Sequence, residues 1–325
     1  MERSAPSTEA WERPQRYLDV RGLIERFGTV IALVIVLIAA SLLSDRFFSQ
    51  TNIMNVIRQT AIVGVLAIGM TFVILTAGID LSVGSTLALV VVLVASVLQT
   101  GSTWLGLLVG LLVGTAVGVV NGLGVTRGRI PPFVMTLGVA GVARGLAFLY
   151  TGGTPIPVLK QDFLVLGTGY LGPVPIPSIV FVLLIVAAAV ALRFTPFGRY
   201  VYAIGSNEEA ARLSGINVPL YKVLVYALCG ATAAVAGILY AAQLAVGPPV
   251  AGQGYELDAI AAVVVGGASL MGGQGSIWGT LLGALIISML ANILNLMGVS
   301  PFVQPLAKGA LIIIAVWVSG RAKSS

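Results

Sequence analysis

Ten apolar runs follow one another along these 325 residues with so little polar sequence between them that no soluble core can absorb them. They cover residues 27–43, 61–77, 81–98, 105–125, 133–150, 176–192, 223–246, 259–271, 277–296 and 303–318. A helix crossing about 30 Å of hydrocarbon needs roughly 20 apolar residues, so each run reads as a membrane span or part of one. The run at 259–271 is too short to cross alone, which predicts a half-helix or one extended by its polar neighbours, and the expected count is eight to ten. The predicted fold class is an all-α polytopic membrane protein of about ten transmembrane helices, some broken or short. A polar tail over 1–27, one transmembrane domain over 28–320 and a short tail over 321–325 complete the plan.

Several chemistries are excluded by what the chain lacks. There is one cysteine, Cys229, and no histidine, so a disulfide framework, a histidine zinc site and a His-based triad cannot be built. None of the four lysines stands in a Gly-Lys-Ser/Thr phosphate loop, so any ATP must be bound by another chain. The net charge of +6 is scattered between apolar runs rather than gathered into a stripe, which sets nucleic acid aside. No carboxylate pair or activated nucleophile marks a membrane enzyme. Transport of a solute remains, with the lipid bilayer as the solvent.

Lysine and arginine favour cytoplasmic loops. With the N-terminus inside and ten spans, Arg3, Arg13, Arg16, Arg21, Arg26, Arg127, Arg129, Arg193, Arg199, Arg212, Lys222, Arg321 and Lys323 fall on the inner side, and Arg46, Arg58, Arg144, Lys160 and Lys308 in or near outer loops. Both termini are therefore predicted to be cytoplasmic. The tail shows no cleavable leader pattern; after Pro14, Tyr17, Val20, Ile24 and Phe27 recur at helical spacing, as an interfacial helix or a partly ordered tail would. The segment 151–175, rich in proline and glycine, is expected outside as an ordered, non-helical loop or short re-entrant element.

The inner loop carries the most specific local pattern. In Ser206-Asn207-Glu208-Glu209-Ala210-Ala211-Arg212-Leu213-Ser214-Gly215, Ser206 and Glu209 have capping-box spacing, which starts a helix of about two turns. The acids sit at its positive end, Arg212 at its negative end, and Gly215 can take the left-handed conformation that stops it. So short a helix needs support from its flanks and from another protein; a well-capped surface turn is the plainer reading.

Glu209-Ala210-Ala211, followed after three residues by Gly215, resembles the loop that permeases of ATP-binding-cassette importers present to their ATPase. Thr76-Ala77-Gly78-Ile79-Asp80-Leu81-Ser82-Val83-Gly84-Ser85, Thr195-Pro196-Phe197-Gly198-Arg199-Tyr200, and Gly254-Tyr255-Glu256-Leu257-Asp258-Ala259-Ile260-Ala261-Ala262 with Gly266-Gly267 resemble ribose-type simple-sugar permeases. The resemblance implies a homodimer in the bacterial inner membrane and a cytoplasmic cassette ATPase, commonly two fused cassettes, that binds the ATP and Mg. An extracytoplasmic sugar-binding protein would deliver a monosaccharide, and no cofactor is expected in this chain. A nucleoside or polyol carried by the same machinery, or ion-coupled secondary transport, are the competing readings; the latter needs titratable residues deep in the bundle, for which Asp80 is the one good candidate.

Other positions admit two readings each. Asp80, Ser82 and Ser85, with Gly78 and Gly84, form a broken helix near the solute path or a capped tight turn. Ser288, Asn292 and Asn295 share one helix face and either line the path or bond neighbouring helices. Glu256 and Asp258 either meet the binding protein or cap the eighth span. Gly106, Gly110, Gly114, Gly118 and Gly122 recur every fourth residue, and Gly275, Gly279 and Gly283 repeat the device; both read as seams for close helix packing. The Gly/Ser-rich interruptions at 76–84 and 266–275 echo each other, as duplicated transporter halves do.

Overall fold

A computed structural model describes residues 20–300, 303, 304, 306, 309 and 310, with side chains from Gly28 onward. The tails over 1–19 and 321–325 and most of the predicted span at 303–318, with Lys308, lie outside the described residues. Twelve helices follow in order: α1 (Val20–Leu43), α2 (Gln50–Leu75), α3 (Val83–Thr100), α4 (Thr103–Thr126), α5 (Pro132–Thr151), α6 (Gln161–Thr168), α7 (Ile176–Phe194), α8 (Pro196–Ser206), α9 (Glu208–Leu213), α10 (Val218–Leu244), α11 (Tyr255–Val265) and α12 (Ile277–Leu296). Two-residue strands β1 (Ile156–Pro157), β2 (Tyr170–Leu171), β3 (Val174–Pro175) and β4 (Val246–Gly247) pair as β1 with β4 and β2 with β3. The chain is an all-α polytopic membrane protein: among the described residues seven helices (α2, α3, α4, α5, α7, α10 and α12) have the length and apolarity to cross a bilayer, and Gly28–Leu43 of α1 adds a shorter apolar stretch.

Helix α2 is buried along most of its length and forms the axis of the bundle, packed against α10, α11 and α12, with α3 buried on the far side of α10. Around them α4, α5 and α7 turn large apolar side chains outward, among them Leu112, Leu137 and Leu183. Lipid is as apolar as leucine, so burial alone does not hold such helices together; close backbone approach does. The glycine seam of α4 supplies it. A Cβ on Gly114 would meet the Gly230 carbonyl at 2.5 Å, one on Gly110 would meet Val94 at 2.8 Å, and one on Gly122 would meet the Val223 backbone at 2.7 Å. The seam is therefore intramolecular, α4 lying against α3 and α10. Gly279 and Gly283 do the same for α12, facing the Gly266 and Ala262 carbonyls of the α11 end.

The short helix expected at 259–271 is present as α11, which extends back into polar sequence to start at Tyr255 and stops at Val265, where Gly266, left-handed Gly267 and a further turn take over. Three other expectations are corrected. The segment from Val20 to Leu43 is one unbroken helix, so the separate interfacial element is, from Val20 on, an extension of α1. The proline-rich segment 151–175 is ordered but has a helix in its middle, α6, seated on α10: Phe163 is fully buried and Gly167 abuts the Ala242 and Gln243 backbone. At the start of α6, the Thr103 hydroxyl bonds Asp162 and holds its carboxyl below the usual carboxylate range. Finally, Arg144 and Arg58 are not loop residues. Arg58 lies within α2, its guanidinium 4.8 Å from the ring centre of Tyr170, and Arg144 lies within α5.

Candidate functional site

At one end of the bundle α8 and α9 form an arm between α7 and α10. Thr195 caps α8 by accepting from the Gly198 amide, and Pro196 occupies the first turn, where its missing N–H costs nothing. Phe197 and Tyr200 then bind the arm to the bundle: Phe197 stacks at 5.9 Å on Phe72 of α2 and 6.0 Å on Tyr221 of α10, and Tyr200 meets Tyr221 edge-on at 5.0 Å. The cap of α9 differs from the sequence expectation by one residue. Asn207, not Ser206, accepts from the Ala210 amide at 2.9 Å, because the Ser206 hydroxyl instead donates to the Tyr202 carbonyl and belongs to α8. Glu209 is not a capping-box partner; it pairs with Arg212 at 3.2 Å. Glu208 bridges Arg212 at 3.2 Å and Lys222 at 2.6 Å.

The helix is six residues long, and Gly215 stands in the left-handed region at φ 82° with its amide donating to the Arg212 carbonyl. Ala211 anchors it, buried with Ile204 and Val218. Glu209, Arg212 and Leu213 point outward, and Leu213 is 80% exposed. Exposed ion pairs of this kind contribute about 0–1 kcal/mol each, so they shape the surface more than they stabilise it. The knob thus presents an exposed leucine beside charged side chains.

The arm also touches the second interruption of the bundle and the end of α2 that leads into the first. The Gly273 amide donates to the Leu75 carbonyl at the end of α2, at 3.0 Å, and Gly205 of α8 packs against both residues. Tyr202 donates to the Gly275 carbonyl at 2.8 Å. The two echoing segments, 76–82 and 266–276, thus meet over α8.

The first interruption holds the carboxylate picked out by sequence. Asp80 is buried, and its Oδ1 accepts from the Ser82 amide at 2.8 Å, from the Ser82 hydroxyl at 2.6 Å and from Asn121 Nδ2 at 3.3 Å. Asn121 also donates to the Ser82 hydroxyl at 2.8 Å. Tyr226 of α10 and Thr136 of α5 each donate to the Ile79 carbonyl at 3.4 Å. Ser82 makes no side-chain cap on α3; Asp80 closes the turn instead. Asn121, Thr136 and Tyr226 were missed by sequence reasoning, since each stands between apolar neighbours with no local pattern to mark it.

The polar face of α12 divides. Asn292 exchanges two hydrogen bonds with Asn52 of α2, at 2.9 and 2.8 Å, and Asn52 also donates to the Phe47 carbonyl. Ser288 is buried on the same side, whereas Asn295 is exposed and accepts from Gln304 at 2.7 Å. The Asn292 geometry is that of an interhelical clamp. Ser85 is buried in the first turn of α3, within a few residues of Asp80.

Glu256 and Asp258 occupy the first turn of α11, Asp258 buried and Glu256 half-buried. Both lie far from the Thr100 end of α3. The segment 246–254 runs down beside α3, with Gly247 against Val91 and Ala95 and Gly252 against Gly84 and Leu87. Gly84 lies sixteen residues before the end of α3 at Thr100, so α11 begins about 24 Å below that end, at 1.5 Å per residue. A Cβ at Gly84 would collide with the Glu256 carboxylate and the Gly252 carbonyl. Among the described residues no group of three or more Cys, Asp or Glu side chains can hold a metal ion.

Comparison with known proteins gives a consistent answer. The family described as branched-chain amino acid transport system / permease component matches residues 52–316. The ribose import permease protein RbsC of Bacillus subtilis is 48% identical over 98% of this chain and 99% of its own length. RbsC of Escherichia coli K12 is 44% identical over 94% of this chain and 97% of its own. The xylose transport system permease protein XylH of Haemophilus influenzae is 34% identical over 89% and 94%. No solved structure matches the chain.

Proposed function

Because the chain belongs to the permease family of ribose-type sugar importers of the ATP-binding-cassette class, a multi-pass inner-membrane protein of sugar transport, we propose that it forms half of a homodimeric translocation path whose ATP-driven switching enters through α8 and α9. The observation that carries this reading is the arm itself. Its knob, Glu209 to Gly215, is anchored by Ala211 and turned away from the bundle, while Tyr202 and Gly205 on its inner side hold the interruption at 266–276 and the end of α2 at Leu75, and Gly272 of that interruption packs in turn on Ala77 of the other. A partner that moves the knob moves both interruptions together, and packed elements respond to such displacement by switching between discrete arrangements.

The partner is a cytoplasmic cassette ATPase, with two fused cassettes that bind the ATP and Mg; this chain holds no cofactor. The α9 end and both termini face the cytoplasm, in keeping with Arg127, Arg129, Arg193, Arg199, Arg212 and Lys222 gathered at that end. A sugar-binding protein delivers a pentose or hexose at the opposite end. Most of the selectivity resides in that protein, because a path that binds tightly in both states cannot release its cargo.

The test is uptake into proteoliposomes holding this chain and its ATPase, with binding protein added outside the membrane. Labelled ribose, xylose, a nucleoside and a polyol are compared. The reading expects ATP-dependent uptake of a monosaccharide. Uptake of the nucleoside or polyol alone would move the substrate class, and uptake without the ATPase would overturn the mechanism.

A further inference from the structure

Arg144 is the thirteenth of the twenty residues of α5, so it lies about 18 Å from one end and about 10 Å from the other at 1.5 Å per residue. It donates from one guanidinium nitrogen to the Pro249 carbonyl at 2.8 Å and the Ala251 carbonyl at 2.7 Å, both on the descending segment 246–254. Its charge also acts on Glu256, at the foot of that segment. Part of the arrangement is structural: the guanidinium satisfies two carbonyls that no helix serves, and Glu256 sits at the positive end of α3 beside Gly84.

That account leaves the outer side of the cluster unexplained. Arg144 and Glu256 are only half-buried, Gln253 between them is exposed, and Val250 is 52% exposed. Irregular backbone at membrane depth occurs where it is buried in protein or lines a water-filled cavity, not against lipid. A half-exposed charge deep in a bundle follows the same rule. Beside the cluster, α5 presents Gly138, Gly141 and Gly145, each with open space where a side chain would stand.

We propose that Arg144, Gln253 and Glu256 line the solute route at mid-membrane, as a polar step on which a hydroxyl-rich solute exchanges its water. This rests on the reading of the chain as one half of a sugar path. The carboxylate accepts from neighbouring hydroxyls, the guanidinium donates to hydroxyl or ring oxygens, and the amide does both. Three groups from one protomer, matched by three from a second copy, give weak polar contact without a closed pocket.

Water access is tested in the assembled importer by labelling Gln253→Cys with a membrane-impermeant, positively charged thiol reagent. The parent's own Cys229 is fully buried and sets the background. The proposal expects labelling faster than the parent by about tenfold or more, since thiol reactivity follows exposure. Reaction with a lipophilic maleimide alone would place the face in lipid, and reaction with neither would make it a sealed interface; both outcomes overturn the proposal. Separately, Glu256→Gln, which keeps size and hydrogen bonding, is expected to leave assembly and ATP hydrolysis intact and slow solute uptake about tenfold, the loss of one charge-assisted contact. Uptake at the parent rate would leave only the structural account. If the parent itself takes up no ribose with its partners, the importer reading fails, whereas the labelling still reports on this face.

Discussion

The hydroxyl of Tyr202 donates a 2.8 Å hydrogen bond to the carbonyl of Gly275, joining α8 to the non-helical stretch that links α11 to α12. Gly275 has φ 149° and packs against Ala268 and Leu75, so this one bond reaches the end of α2 as well. In the proposed mechanism it is a hinge pin between the ATPase arm and the path. Tyr202→Phe keeps the ring and removes the bond, whose net worth is about 0.5–1.5 kcal/mol. The expected result is ATP hydrolysis near the parent rate with uptake lowered by about threefold to tenfold. Equal loss of hydrolysis and uptake would mean that Tyr202 serves assembly rather than coupling.

Gly215 has open space around it but a backbone at φ 82°. Replacement by valine therefore strains the chain without a steric clash, at about 1–2 kcal/mol for a left-handed β-branched residue. Gly215→Val and the charge reversal Glu209→Lys are both expected to leave membrane insertion intact and to reduce co-purification of the ATPase about tenfold or more. Normal uptake in both variants would remove α9 from the docking surface.

The Asn52–Asn292 clamp predicts a stability effect, not a transport effect. Asn292→Leu leaves Asn52 buried without its partner, a cost of about 1–3 kcal/mol. The melting temperature in detergent should fall, and adding Asn52→Leu should recover part of the loss, the mark of a coupled pair. Lost uptake at an unchanged melting temperature would return Asn292 to the path.

Asp80 separates ATP-driven from ion-coupled transport. Asparagine retains an oxygen for the Ser82 amide and hydroxyl and for Asn121 Nδ2. Asp80→Asn is thus expected to fold and to transport within about threefold of the parent. Complete loss of uptake in a folded variant would argue for a titrating carboxylate instead.

Fold class, nine of the ten apolar runs and the α9 knob were legible in the sequence, because hydrophobic length and capping residues are local signals. The α4 glycines announced a seam for the same reason, four-residue spacing putting them on one face. What was not legible depended on long-range contact. The shift of the α9 cap from Ser206 to Asn207 follows from α8 running one residue further than the capping pattern suggests. Helix α6 was hidden by the prolines and glycines on either side of it, although Gln161 to Thr168 contains neither proline nor an apolar period long enough to stand out. Charge bias places Arg144 in or near an outer loop, whereas it lies within α5, because the carbonyls that stabilise it there, Pro249 and Ala251, are more than a hundred residues away in sequence. Likewise Asn121, Thr136 and Tyr226 gain meaning only when three helices bring them to the turn at Asp80.

The most direct test of the central claim is affinity purification of this chain from its native membranes in mild detergent, with identification of the proteins bound to it and assay of their ATP hydrolysis. The account predicts a cassette ATPase in stable association, lost in Glu209→Lys. A chain recovered alone, and able to take up sugar on an ion gradient after reconstitution, would contradict it.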